Sequence, residues 1–361
     1  MGSTENHVSP SIKEDDEACA YALQFCLSHV PHMVMNAAVE LELFDIIAQK
    51  GSGAHISSSE IVSQLPAQNP DAASILDRML CLLASYSLLT CSLRTHQDGT
   101  VERLYGLAPA GKFFVRNQGG RSLASMFPFT CYPPIWTTWF HLKDAILEGG
   151  SILKKACGMS VFQFMDADPT FNSLFNKSMA DMSNITMLKL LETYKGFEEL
   201  GSLVDAGGGT GTSLNMIISK YPSIKGINFD LPHVIQSAPS YPGIEHVGGD
   251  MFVNIPAAEA IMVKNVIHNW NDEHCLKLLR NCYEALPKKG KVIIIDFVMP
   301  LTPEQTSAAK FAALMDVTML NTPNGKERTE KEFEALCKGA QFSDFKIICT
   351  ILSLGVIEFR K

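Results

Sequence analysis

The stretch Ser202-Leu203-Val204-Asp205-Ala206-Gly207-Gly208-Gly209-Thr210-Gly211 decides the fold. Residues 202–205 read as a short buried strand, and residues 212–220 as the helix that follows. Glycines between a strand and a helix let the backbone approach a ligand and take dihedrals closed to other residues. Working outward, 226–230 and 260–264 are strands, and 273–286 is an amphipathic helix with Leu276, Leu279 and Ala285 inward. Lys291-Val292-Ile293-Ile294-Ile295-Asp296 is a continuous apolar strand, and 345–352 and 355–359 close the pattern. Strands alternating with helices predict a doubly wound, Rossmann-like α/β domain.

Two nucleotide readings compete for the glycine loop. A nicotinamide site wants G-x-G-x-x-G, but counting from Gly207 the last place is Thr212, and from Gly209 it is Leu214. Asp205, just before the glycines, would also face a diphosphate. An acid there suits a cationic ligand, and S-adenosylmethionine carries an amino group, a sulfonium and a ribose but no phosphate. Asp230 closes the next strand, where a carboxylate can accept both hydroxyls of a ribose. Asp250-Met251-Phe252 could hold the adenine amine and stack on its face.

The N-terminal third has a different organisation. Met33, Ala37, Leu41, Phe44 and Ala48 recur at helical spacing over 33–49, with Gly51 as a stop. Val34, Val39, Leu43, Ile46 and Ile47 make that segment apolar on more than one face, which predicts burial on both sides, as in a dimer. Ser57-Ser58-Ser59-Glu60 is a capping-box pattern. Asn69-Pro70 reads as cap plus first-turn proline of a helix burying Ile75, Met79, Leu82, Leu83 and Tyr86. Two β-like runs then flank the turn signal Asp98-Gly99. Helix, turn, helix and hairpin form a winged-helix layout. The recognition helix, 70–86, carries Arg78 against Asp71 and Asp77, and phosphate anchoring needs several cations. Nucleic-acid binding is therefore not expected.

Between these regions lies an aromatic segment: Met126, Phe127, Phe129, Tyr132, Trp136 and Trp139, broken by Pro128 and Pro133-Pro134. A helix ends at Gly149-Gly150, and Phe162, Phe164, Met165, Phe171, Phe175, Met179 and Met182 follow. Any one of these could be plain core. Together, in a segment that reads as loop-rich, they suggest an apolar pocket for a flat ligand.

Composition agrees. The 361 residues, 46% hydrophobic and 19% charged, suggest two domains. A net charge of -8 gives no broad field for phosphate backbones. Residues 1–17 are polar and acidic, unlike a signal peptide. No apolar run approaches the roughly 18 residues of a membrane span. The ten cysteines (Cys19, Cys26, Cys81, Cys91, Cys131, Cys157, Cys275, Cys282, Cys337 and Cys349) form no CxxC pair, which predicts reduced thiols in a cytoplasmic protein.

Three longer runs resemble plant phenolic O-methyltransferases, and among them the caffeic acid O-methyltransferases. They are Lys225-Gly226-Ile227-Asn228-Phe229-Asp230-Leu231-Pro232-His233-Val234-Ile235, Gly243-Ile244-Glu245-His246-Val247-Gly248-Gly249-Asp250-Met251-Phe252, and Asn324-Gly325-Lys326-Glu327-Arg328-Thr329-Glu330-Lys331-Glu332-Phe333-Glu334-Ala335-Leu336. The similarity extends from Asp15 to Phe359. It implies a winged-helix-like dimerisation domain over 15–120, a helical acceptor-pocket segment over 121–195, and a methyltransferase domain over 196–361. It implies a homodimer acting on a small phenol, with no metal. S-adenosylmethionine would be held by Gly207, Asp230, Leu231, Asp250, Met251, Phe252 and Lys264. The catalytic histidine matches His268, beside Asp296 and Glu327. The acceptor pocket matches Phe129, Thr130, Ile135, Val161, Met165, Phe171, Phe175, Met179, Met182, Thr318 and Met319.

The chemistry of that assignment is coherent. A phenol with a pKa near 10 is a poor nucleophile at neutral pH, and a neutral imidazole can take its proton. Several positions depart from the caffeic acid pattern. Asn269 stands where an aspartate usually follows the histidine, and Asp296 where a glutamate stands. No tryptophan follows Lys264, and the loop at 320–324 is one residue shorter. Thr130, Met165 and Met182 fill places usually polar or histidine. A pocket with fewer polar partners holds a carboxylate poorly, which points to a flatter, less polar phenol: a coumarin, a propenylphenol, a flavonoid or an alkaloid phenol. The alternative is a caffeate or 5-hydroxyferulate 3-O-methyltransferase of lignin synthesis. Two remoter readings are an N-methyltransferase, which needs no base like His268, and a non-catalytic binding protein, motivated by Asn269 and Asp296.

Overall fold

The computed structural model describes residues 12–116 and 119–361, without the side chains of Ile12, Lys13 and Phe162. Most of the N-terminal stretch read as lacking a signal peptide, and the Phe162 side chain of the aromatic series, therefore lie outside the described residues. The chain divides into two units, one ending at Cys131 and one running Tyr132–Lys361.

The first unit begins with α1 (Ile12–Cys26), α2 (His29–Glu40) and α3 (Leu43–Ala48). The continuous helix expected over 33–49 is broken. Glu42 takes a left-handed φ of 56°, and Arg116 holds the break by donating to Val39 O at 2.9 Å and pairing with Glu42. That partner is remote in sequence, so periodicity alone could not reveal the interruption. β1 (Ile56–Ser57) leads into α4 (Ser58–Val62) through the expected capping box. Ser57 Oγ accepts from Glu60 N, and Glu60 Oε2 accepts from Ser57 N at 2.8 Å.

α5 (Ala72–Ser85) starts two residues past Pro70. Asn69 does not cap it; its Oδ1 accepts from Asp71 N and closes a turn ahead of the helix. The buried stripe is Leu76, Leu80 and Leu83, while Ile75 and Tyr86 are about half exposed. Both stripes are apolar in sequence, and the core cluster with Phe44, Ile61 and Tyr105 selects the one turned inward. β2 (Leu89–Thr95) and β3 (Val101–Leu107) form the expected hairpin, and β1 joins it in the order β1-β3-β2. α6 (Met126–Thr130) ends the unit.

The aromatic segment is helical rather than loop-rich. The second unit opens with α7 (Pro133–Thr138), α8 (Leu142–Glu148), α9 (Ile152–Cys157), α10 (Val161–Ala167) and the 25-residue α11 (Pro169–Thr193). Its prolines stand in first turns, where they start helices rather than break them. Asp168 caps α11 by accepting from Phe171 N, and accepts from Tyr132 Oη at 2.7 Å.

The α/β part follows as β4 (Ser202–Ala206), α12 (Thr212–Lys220), β5 (Lys225–Asp230), α13 (Pro232–Ile235), β6 (Ile244–Gly248) and β7 (Ala260–Lys264). It continues with α14 (Asp272–Ala285), β8 (Lys291–Met299), α15 (Ser307–Thr318), β9 (Arg328–Thr329), α16 (Glu330–Gly339), β10 (Asp344–Ile351) and β11 (Leu354–Arg360). The sheet order is β10-β11-β8-β7-β4-β5-β6, parallel from β8 to β6 and closed by the antiparallel β11 and β10, with β9 beside β8. One apolar layer joins the sheet to α14 and α16, the other to α11, α12 and α15. On α14 the fully buried residues are Cys275, Leu278, Leu279 and Cys282; of the three expected inward, Leu279 is among them and Leu276 and Ala285 are half-buried. No helix among the described residues is long and apolar enough to cross a membrane.

Candidate active site

β4 pairs with β5 on one side and β7 on the other, so the chain order reverses at β4. Loops leaving β4 and β7 diverge there and open a crevice at the carboxyl ends of the strands. The glycine loop stands on one side and the segment after Lys264 on the other.

The glycine loop is held tightly. Gly207, Gly209 and Gly211 have φ of +75°, +59° and +82°, a region that favours glycine. A Cβ on Gly207 would meet Val266 at 2.8 Å, and one on Gly208 would meet Asn228 Oδ1 at 2.2 Å. Asp230 Oδ2 accepts from Gly209 N at 2.8 Å and its Oδ1 from Leu231 N at 2.7 Å. Asn228, buried and overlooked in the sequence, donates to Gly209 O at 2.9 Å. Leu231 leaves an exposed apolar side chain beside Asp230. Asp250 Oδ1 accepts from Phe252 N, and the Met251 carbonyl accepts from Asn281. The Phe252 ring meets Trp270 edge to face at 4.8 Å.

Asp205 is buried, and its Oδ2 has no hydrogen-bond partner among the described residues. Burial pushes its carboxyl up to about 7, against the pull of Lys264. Burial also pulls Lys264 below the ordinary lysine value, and its Nζ donates to Ser183 Oγ of α11 at 2.9 Å. A close backbone cradle, unpartnered buried oxygens and two carboxylates suit a cationic, ribose-bearing ligand. S-adenosylmethionine fits this donor set; a diphosphate does not.

Across the crevice, His268 stands on a one-turn helix, Ile267–Asn269. It is 7% exposed. Its Nδ1 lies 2.8 Å from Glu327 Oε1 and 3.6 Å from Asp296 Oδ1. Asp296 Oδ2 accepts from Ile267 N at 3.1 Å, and Glu327 N donates to Asp316 Oδ1 at 2.8 Å. Burial pulls the imidazole down, but Asp296 and Glu327 outweigh it and hold His268 above its ordinary value. Burial pushes the Asp296 carboxyl above the ordinary carboxylate value, and the neighbouring His268 pulls it back. With Nδ1 on Glu327, the neutral ring carries its lone pair on Nε2. One ligand atom from each of these three residues lies within 4.8 Å of the others, close enough to chelate an ion.

The chain's similarities agree with this geometry. Residues 139–343 match the family model described as an O-methyltransferase domain, and residues 23–117 the O-methyltransferase dimerisation domain. The chain belongs to the O-methyltransferase family. It is 54% identical to caffeic acid 3-O-methyltransferase 1 of Populus tremuloides and to caffeic acid 3-O-methyltransferase of Medicago sativa, each over the full length of both chains. It is 54% identical to O-methyltransferase 13 of Lophophora williamsii, over all of this chain and 99% of that one. Human N-acetylserotonin methyltransferase, solved with S-adenosylmethionine, shares the fold with a TM-score of 0.78 at 22% identity, covering 100% and 99% of the chains. The chain is an S-adenosylmethionine-dependent O-methyltransferase.

The residues matched to the acceptor pocket fall in both units. Phe129 and Thr130 lie on α6 of the first, where Thr130 Oγ1 is 3.3 Å from His32 Nε2. In the second, Ile135 lies on α7, Val161 and Met165 on α10, and Thr318 and Met319 at the end of α15. Phe171, Phe175, Met179 and Met182 line one stripe of α11, with Phe171 at its base, 4.8 Å from Phe164 and 6.0 Å from Phe175. The next residue, Ser183, meets Lys264, so α11 links the aromatic stripe to the crevice.

Proposed function

We propose that the acceptor is a flat, weakly polar phenol of the phenylpropanoid type, and that His268 is the base that takes its proton. The buried His268–Glu327 pair carries the reading of His268 as the base: it orients the ring and compensates the charge the ring gains. Glu327 is the hydrogen-bonded partner, and Asp296 supplies a second negative charge at longer range. The methyl donor, when bound, offers an electrophilic methyl group on a sulfonium. Gly207, Asp230 and Leu231 hold its amino acid and ribose end, Asp250, Met251 and Phe252 its adenine, and Lys264 completes the site. Ile135, Val161, Met165, Phe171, Phe175, Met179 and Met182 of the pocket segment 121–195 orient the phenol, with Thr318 and Met319 at the end of α15; Phe129 and Thr130 are the matched positions on α6. Holding oxygen, methyl and sulfur in line supplies much of the rate.

The second reading is a caffeate or 5-hydroxyferulate 3-O-methyltransferase, favoured by the relatives named for caffeic acid. The working unit is a homodimer. Exposed Tyr21, Leu23, Phe25 and Leu27 on and after α1 support a second copy as the partner. Unpaired cysteines suit the cytoplasm as its compartment.

A panel of caffeic acid, caffeyl aldehyde, a propenylphenol, hydroxycoumarins, flavonols and a phenolic alkaloid, read by product mass, tests the acceptor. Turnover concentrated on a neutral phenol is expected. Turnover concentrated on caffeate and its aldehyde restores the second reading. His268→Ala is expected to lose about two to four orders of magnitude in kcat.

A further inference from the structure

Arg328 is the largest fully buried side chain of the described residues, and its guanidinium faces the turn that carries His268. Nη1 donates to Ile267 O at 2.9 Å and Nη2 to Trp270 O at 2.8 Å. Nε and Nη2 both donate to Asp272 Oδ1, at 3.0 and 2.7 Å. The two carbonyls bracket the histidine in sequence, one residue before it and two after. Cys275 Sγ lies against the same pair, at 3.3 and 3.5 Å. Arg328 also follows Glu327 directly and pairs with Val298 of β8, the strand that carries Asp296.

We infer that Arg328 is a positioning residue for His268, clamping both ends of its turn while Glu327 holds the ring. A buried guanidinium is costly unless its donors are satisfied, and here they meet two carbonyls and a carboxylate. Its planar fork spans two acceptors at once; a lysine ammonium is a point charge on a flexible stem. The turn is three residues long, and it is also tethered by the bonds from Ile267 N to Asp296 and from Lys326 N to His268 O at 2.9 Å. Without the clamp, the ring can shift against Glu327, and a displacement of about 1 Å can cost about a hundredfold in rate.

The inference rests on the reading of His268 as the base, and the test separates the two. Arg328→Lys keeps the charge and loses the fork. Asp272→Ala removes the outer anchor at an exposed position. Measurements are kcat and KM with the best phenol of the panel, the titration of the His268 ring by NMR, and calorimetric binding of S-adenosylhomocysteine. In Arg328→Lys, kcat should fall about ten- to hundredfold, with KM and S-adenosylhomocysteine affinity within about twofold. The His268 titration should move to lower pH as the ring leaves Glu327. Asp272→Ala should show the same pattern with about a three- to tenfold fall. A folded Arg328→Lys with wild-type kcat and an unmoved titration overturns the inference. So does an equal loss of S-adenosylhomocysteine binding, which marks general collapse. If Arg328→Lys does not fold, Asp272→Ala decides, and wild-type behaviour there overturns it. Full turnover in His268→Ala would instead defeat the base reading, while a moved titration in Asp272→Ala would still show the clamp.

Discussion

At residue scale, the two departures beside His268 acquire separate explanations. Asn269 Nδ2 donates to Asn265 O at 3.1 Å, a bond an aspartate cannot make, and this closes the turn on the left-handed Asn265. Asp296, one methylene shorter than the usual glutamate, stays 3.6 Å from Nδ1 and spends its other oxygen on Ile267 N. Glu327 is therefore the hydrogen-bonded partner. Glu327→Gln should lower kcat more than Asp296→Asn. The pH profile gives a second check. A base works when neutral, so kcat falls as pH drops through the raised value of His268. Removing the Glu327 charge lowers that value, and the acid limb of kcat should move to lower pH. A Glu327→Gln profile that coincides with wild type would contradict the assignment.

At element scale, the β4–α12 turn is the part least open to change. Gly207 needs φ of +75°, and any Cβ there meets Val266 at 2.8 Å. A left-handed residue other than glycine costs about 1–2 kcal/mol. Gly207→Ala should thus weaken S-adenosylhomocysteine binding at least about tenfold by calorimetry, with the far-UV spectrum unchanged. The helices teach a different lesson. α5 has two adjacent apolar stripes, and α2 and α3 share one continuous pattern. In each case the choice is made by a residue remote in sequence, the β3 residue Tyr105 or the Arg116 clamp.

At the scale of the whole molecule, α1 has no buried side chain among those described, and Tyr21, Leu23 and Phe25 are all more than 60% exposed. So much exposed apolar surface on one helix is stable when a partner covers it. Replacing Tyr21 and Phe25 together by Glu should shift the homodimer toward monomer in sedimentation equilibrium. Its melting temperature should also lose its dependence on protein concentration. A dimer unchanged in both measurements would place the interface elsewhere.

The sequence by itself determined the α/β class and the methyl donor and pointed to His268, because these follow from local patterns: a glycine loop after a strand, an acid in place of a phosphate cradle, and long specific runs. Strand bounds such as Ala260–Lys264 and the capping box at Ser57 were legible for the same reason. Tertiary structure alone decided which carboxylate meets His268, which stripe of α5 turns inward, and that Ser183, Asn228 and Arg328 support the site. Those residues act across separations of 19 to 81 positions. No local propensity encodes such partners, since they meet only when the sheet order brings their strands side by side.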